Sequence, residues 1–282
     1  MLSHSLTSIR NPRVQSARKL RRKQGRDDEG AFLVEGPTVL EDALSAGAEI
    51  RDVFIEEGDT SNPELERALS AKGVPVWTAT SDVIGALTET VTPRGIVAVV
   101  SDPTKGLDAL DGVRLALVLA DVRDPGNAGT LVRSALAAGA GAVVFAKGSV
   151  DPLHPKVVRS AAGSVFQIPI VRGPRLQEVA EVLSGFGVAL VGTAAEAATD
   201  MYDADLTRPV AIVLGNEAWG LPEDATDLMD LTVRIPMPGP AESLNVSVAG
   251  SILLFEALRQ RGVGGGGGPP PEAPGLSSAL ND

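Results

Sequence analysis

Cysteine is absent from the 282 residues of this chain, which excludes disulfides and thiolate chemistry of every kind. Histidine is nearly absent too. His4 and His154 stand too far apart for a metal-ligand spacing, so no metal site is expected. No apolar run approaches the roughly 20 residues of a membrane-spanning helix, and the N-terminus lacks the apolar segment of a secretory signal. A soluble cytoplasmic protein with no membrane partner is expected. The N-terminal stretch lacks acidic residues and is rich in basic ones. The first 26 residues carry Arg10, Arg13, Arg18, Lys19, Arg21, Arg22, Lys23 and Arg26 and not one Asp or Glu, although the whole chain has a net charge of −11.

A basic arm on an acidic body can engage phosphates locally while the body stays soluble, so all eight cations are candidate RNA contacts. A solvated charged helix or a transit segment has the same composition. The rest is an ordinary globular composition, 44% hydrophobic and 22% charged, with room for one large domain or two modest ones.

From residue 32 to 100, short apolar runs alternate with helical ones. Strands are expected at 32–34, 52–55, 74–77 and 95–100, and helices at 37–46 and 62–71, where Pro37 and Asn62-Pro63 mark the starts. This reads as a small α/β domain within residues 1–103, with residues 102–112 as linker. A second α/β domain, 112–262, opens with the buried strand 115–119. A Gly-rich turn and a helix over about 128–138 follow, then strands at 142–146, 188–192 and 210–214. Their apolar, β-branched character is that of buried parallel strands. After a short apolar step at 233–235 and a Pro/Gly-rich loop, a helix runs from Ser243, Leu244 and Asn245 to Gly262. It is apolar on nearly every face, so it is expected to be buried centrally or against another subunit. Residues 263–282, rich in Gly and Pro, are expected to be a disordered tail.

A Gly-rich turn between strand and helix is a generic phosphate site, and a dinucleotide-binding protein would begin the same way. That rival fails on detail. Gly126-Asn-Ala-Gly129 lacks the G-x-G-x-x-G spacing, and the next strand ends at Lys147 rather than at an acidic residue.

Three stretches carry a more specific pattern. They are Asn127-Ala-Gly129-Thr-Leu-Val-Arg133, Gly215-Asn-Glu217-Ala-Trp-Gly-Leu221, and Ile235-Pro-Met237-Pro-Gly-Pro-Ala-Glu-Ser243-Leu-Asn245-Val-Ser247. In order and spacing they resemble the three signature motifs of the SpoU/TrmH family of RNA ribose 2′-O-methyltransferases, in the SPOUT superfamily. The start 8–13 and the stretch 32–36 resemble the N-terminal part of such enzymes. The resemblance implies an N-terminal RNA substrate-binding domain and a C-terminal SPOUT domain with a parallel sheet and a deep trefoil knot. The knot's loops would follow Gly192, Leu214 and Ile235. It also implies a homodimer, S-adenosylmethionine as cofactor, and RNA, ribosomal rather than transfer, as substrate.

Methyl transfer to a ribose hydroxyl needs a seat for the cofactor, an aligned hydroxyl and an outlet for its proton. Thr193, Leu214, Gly215, Ile235, Met237 and Leu244 are the expected cofactor-binding residues. Asn127, Arg133, Glu217, Ser243 and Asn245 are the expected acceptor-side residues. Asn127 and Arg133, six residues apart, are expected near the start of one helix, facing one cleft. A guanidinium stays protonated in proteins and is a poor base, so Arg133 is assigned to the RNA phosphate and the developing alkoxide. Glu217 would orient Arg133 or accept the proton. Lys156 and Arg159 are candidates for RNA phosphates or for capping and packing, whereas His154 is expected to be structural.

Overall fold

The computed structural model describes residues 5–90, 93–221, 223–240 and 243–262. The proposed tail, 263–282, lies outside them. The N-terminal basic segment is folded rather than extended. Asn11 caps α1 (Pro12–Lys19) by accepting the Arg13 N–H at 2.9 Å, and α2 (Lys23–Glu29) stops at Gly30 in the left-handed region, φ 54°. Val14, Ala17 and Leu20 lie buried against Ile84 and Leu87 of α5 (Ser81–Leu87), a helix the sequence reading does not anticipate.

Four strands form the first sheet in the order β1-β4-β2-β3: β1 (Ala31–Glu35), β2 (Ile50–Glu56), β3 (Val76–Ala79) and β4 (Ile96–Ser101). α3 (Pro37–Ser45) and α4 (Pro63–Ala71) match the expected helices. The strand expected at 74–77 lies two residues later, because the Val74 N–H closes α4 onto the Leu69 carbonyl at 3.0 Å. The expected linker is docked rather than free. Lys105 bridges to Val171, and Leu110, in a 3₁₀ turn, is fully buried.

The second sheet has seven strands, all parallel, in the order β7-β6-β5-β10-β8-β11-β9. These are β5 (Leu115–Leu119), β6 (Ala142–Phe145), β7 (Ile170–Arg172), β8 (Ala189–Thr193), β9 (Thr199–Asp200), β10 (Val210–Leu214) and β11 (Leu231–Arg234). The apolar step expected at 233–235 is the end of β11. Alternate strand residues face opposite layers, as period two requires. Leu117, Leu119, Ile212 and Leu214 pack against α6 (Pro125–Ala137), α7 (Pro155–Ala161) and α10 (Val246–Gln260). Ala116, Val118, Ala211 and Val213 pack against α8 (Leu176–Gly185). The short α9 (Glu223–Thr226) lies between β10 and β11. The first of these layers runs on into the N-terminal unit, where the Phe32 and Phe166 rings stack with centroids 5.9 Å apart.

Two helix starts differ from expectation for one reason, the side chain that caps them. α6 begins at Pro125 because Asp124 accepts the Asn127 N–H at 2.8 Å. α10 begins at Val246 because Asn245 accepts the N–H groups of Ser247 and Val248, which leaves Ser243 and Leu244 before the helix.

Candidate active site

Because β8, β10 and β11 are adjacent and parallel, their C-terminal ends open side by side, and the three turns that follow them surround one cleft. The cavity measures ≈400 Å³, and all six expected cofactor residues, Thr193, Leu214, Gly215, Ile235, Met237 and Leu244, line it. Leu214, Ile235, Val246 and Ala249 give it apolar walls, which suits a flat purine flanked by a few polar groups. The turn 215–221 is tight. Asn216 and Gly220 exchange both backbone hydrogen bonds at 2.9 Å, and Gly220 has φ 72°. A Cβ on Gly215 would stand 2.3 Å from the Gly220 carbonyl carbon and oxygen. Gly215→Ala therefore has to displace backbone rather than a flexible side chain. Overpacking of this kind costs about 1–3 kcal/mol, and the expected result is about a tenfold or greater loss of S-adenosylmethionine affinity by titration calorimetry; unchanged affinity would mean that the turn is not part of the seat.

At the edge of this cavity the three motifs meet through side chains. Glu217 Oε1 accepts the Asp124 N–H at 3.2 Å and the Asn127 Nδ2–H at 3.4 Å. The Asn127 Oδ1 accepts from Asn245 Nδ2 at 3.0 Å. Both ends of the Asn127 amide are thus engaged. Asn245 works twice, since its oxygen caps α10 while its nitrogen reaches Asn127. Ser243 lines the cavity beside Glu217.

Three residues of this arrangement were missed in the sequence. Asp121 sits at φ 70°, a conformation that Asp tolerates better than most side chains. Its carbonyl and Oδ2 accept from Asn216 Nδ2 at 3.2 Å each, tying the first motif to the second. Its Oδ1 takes Arg123 Nε at 2.8 Å, and that hydrogen bond and charge raise the Arg123 pKa above its usual value. Asp124 is the third, as cap of α6. The turn-forming run Asp121-Val-Arg-Asp124-Pro was the available signal.

Arg133 is a correction. A helix turns 100° per residue, so six residues place Arg133 roughly 120° around α6 from Asn127, not on the same face. Glu217 bonds Asn127 instead of orienting Arg133. The Arg133 side chain is exposed, and its guanidinium makes no hydrogen bond or ion pair among the described residues.

Arg26 is a second correction. Its side chain is only 2% exposed, with Nε and Nη2 on Asp151 Oδ2 at 2.9 and 2.6 Å. Its Nη1 donates to the carbonyls of Leu20 and Arg21. It is a structural arginine that cannot reach RNA. Arg21 is half-buried and donates to the Ala86 carbonyl. Arg10, Arg13, Arg18, Lys19, Arg22 and Lys23 remain exposed on α1, α2 and the segments beside them. Arg13 also pairs with Asp52 and lies over the Trp77 ring at 4.2 Å. Lys156 stands 3.7 Å from Asp124, and Arg159 3.9 Å from Glu35, both half-exposed. His154 caps α7 by accepting the Lys156 N–H, the structural role expected of it. Among the described residues no helix is long and apolar enough to cross a membrane, and no cluster of His, Asp and Glu has the arrangement of a metal site.

Residues 114–255 match the model of the SpoU rRNA Methylase family, and residues 11–98 match that of the MRM3-like substrate binding domain. The chain is 34% identical over 250 residues to the 23S rRNA (guanosine(2553)-2′-O)-methyltransferase RlmP of Bacillus subtilis, covering 89% of this chain and 97% of the relative. It is 35% identical over 264 residues to a 23S rRNA (uridine(2479)-2′-O)-methyltransferase of Streptomyces viridochromogenes, covering 89% and 91%. Its fold is similar to the solved SpoU methyltransferase AviRb from Streptomyces viridochromogenes in complex with AdoMet. The TM-score there is 0.81 at 33% identity, over 89% of this chain and 98% of that one.

Proposed function

The chain belongs to the SpoU rRNA methylase family and is an S-adenosylmethionine-dependent RNA ribose 2′-O-methyltransferase, and from this premise we propose that its substrate is a nucleotide of 23S ribosomal RNA. The observation that carries the site assignment is the meeting of the three motifs at one cavity, with Glu217, Asn127 and Asn245 hydrogen-bonded at its edge. When bound, the cofactor supplies a methyl group activated by its sulfonium sulfur. Thr193, Leu214, Gly215, Ile235, Met237 and Leu244 hold it, and Gly215 allows the close backbone approach that a side chain would block.

On the acceptor side Glu217 Oε1 is occupied by Asp124 and Asn127, which leaves Oε2 to take the proton of the 2′-hydroxyl. Asn127, Asn245 and Ser243 fix the ribose. Arg133, exposed on α6, grips a neighbouring RNA phosphate. The exposed cations of α1 and α2, with Lys156 and Arg159, attach the RNA through its phosphates, so binding weakens steeply as salt rises.

Residues 1–103 and 112–262 act as the substrate-binding and catalytic units, in the cytoplasm. The strand order and the convergence of the turns after β8, β10 and β11 support the deep trefoil knot. The assembly is a homodimer. Val248, Ile252 and Phe255 share one face of α10, and Val248 and Phe255 remain 46% and 47% exposed while Leu253, Leu254 and Ala257 are buried on the other. Val248→Asp with Phe255→Asp is expected to halve the mass measured by light scattering; an unchanged mass would remove this face from the interface.

The reaction is tested by transfer of label from S-adenosylmethionine to bacterial RNA separated into ribosomal and transfer fractions. Label is expected in 23S RNA, at a linkage that resists alkali. Label in transfer RNA alone overturns the substrate assignment.

A further inference from the structure

The chain has two tryptophans, and they are used in opposite ways. Trp77 is half-buried, its indole N–H on Asp52 at 2.8 Å and its face under Arg13. Trp219 is 80% exposed, the most open of the large apolar side chains among the described residues. It lies on the turn 215–221 at the cavity, two residues from Glu217. This turn is held from both ends. The paired Asn216–Gly220 hydrogen bonds close it, the Ala218 N–H donates to Asn216 Oδ1 at 2.9 Å, and Asn216 Nδ2 ties it to Asp121. A large apolar ring is thus presented to solvent on a fixed turn, beside the residues that hold the ribose.

RNA-binding proteins use exposed aromatic rings of this kind as platforms for unstacked bases, and every base has a face to offer. A ribose seated at Glu217 carries its base on the adjoining sugar carbon. Two residues of chain span at most about 7 Å, so the indole stands within reach of that base. Resting on the acceptor-site reading above, we propose that Trp219 stacks on the base of the nucleotide being methylated. It acts as a positioning residue that holds the target out of its own stack while Glu217 and Asn127 address the hydroxyl. Stacking reads a π face rather than hydrogen-bonding edges, so Trp219 accepts purine and pyrimidine alike. The choice of nucleotide is left to the RNA's shape and the N-terminal unit.

Trp219→Ala and Trp219→Phe are compared with the unaltered protein, using bacterial 23S RNA as methyl acceptor. Trp219→Ala is expected to raise KM for RNA about tenfold or more and to lower kcat, with the Kd for S-adenosylmethionine changed less than twofold; Trp219→Phe recovers most of the loss. In the Trp77→Phe background the remaining fluorescence reports Trp219 alone. It is expected to be quenched by RNA and not by the cofactor. An unaltered RNA KM in Trp219→Ala, or quenching by cofactor without RNA, overturns the proposal. So does a changed mass in solution with RNA KM untouched. Absence of label in every RNA fraction with the unaltered protein would instead remove the substrate reading on which the proposal rests.

Discussion

Arg133→Ala keeps the cofactor and loses methyl transfer by about 10–100-fold, the cost of removing one charge-assisted hydrogen bond, worth about 1.5–3 kcal/mol, to an RNA phosphate. The expectation rests on what Arg133 does not do. It is exposed on α6, and the charge finds no carboxylate among the described residues, while neighbouring cations such as Lys156 and Arg123 stand beside Asp124 and Asp121. It also stands apart from the Glu217–Asn127–Asn245 network, so its loss leaves those hydrogen bonds and the cofactor cavity in place. The unengaged planar fork is free to take two oxygens of an RNA phosphate. Arg133→Lys restores charge without the fork and recovers only part of the rate. Single-turnover labelling of RNA gives the chemical step, and calorimetry gives cofactor affinity. A variant that methylates at the normal rate ends the assignment; one that also loses the cofactor makes Arg133 structural.

Arg26→Met destabilises the protein by about 3–5 kcal/mol, the usual result of breaking a buried pair from one side. Asp151 is 6% exposed at its side chain and shares its oxygens between Arg26 and Arg172, with the Leu153 N–H at 3.2 Å. Arg172 in turn reaches Asp102 and Asp27. Without Arg26, Asp151 keeps a partial partner, and the Leu20 and Arg21 carbonyls each lose a donor. Denaturant unfolding of Arg26→Met should show the loss. Arg26→Met with Asp151→Asn should recover a large part of it, because the uncompensated charge is gone. Loss of RNA binding in Arg26→Met without loss of stability would return this residue to the RNA surface.

The two arginines show why parts of this protein were legible and parts were not. The strands of the first sheet, the central strands of the second, the helix start at Asn245 and the three motifs depend on neighbours a few residues away. The residues expected to bind the cofactor lie at or near turns that follow recognisable buried strands, and all six line one cavity. That much the amino-acid order determined by itself, since hydrophobic period, capping and turn chemistry are short-range. Arg26 could not be read this way. Its local composition is that of an RNA-binding arm, and only the docking of α2 against Asp151, 125 residues away, buries it. The same holds for Glu217, whose partner is Asn127 rather than Arg133 because β10 lies beside β5. Strand order, the left-handed Asp121 at the junction of two motifs and the open face of α10 are also decided by which distant surfaces meet. Those meetings depend on the free energy of the whole packed arrangement, which no short window of sequence contains.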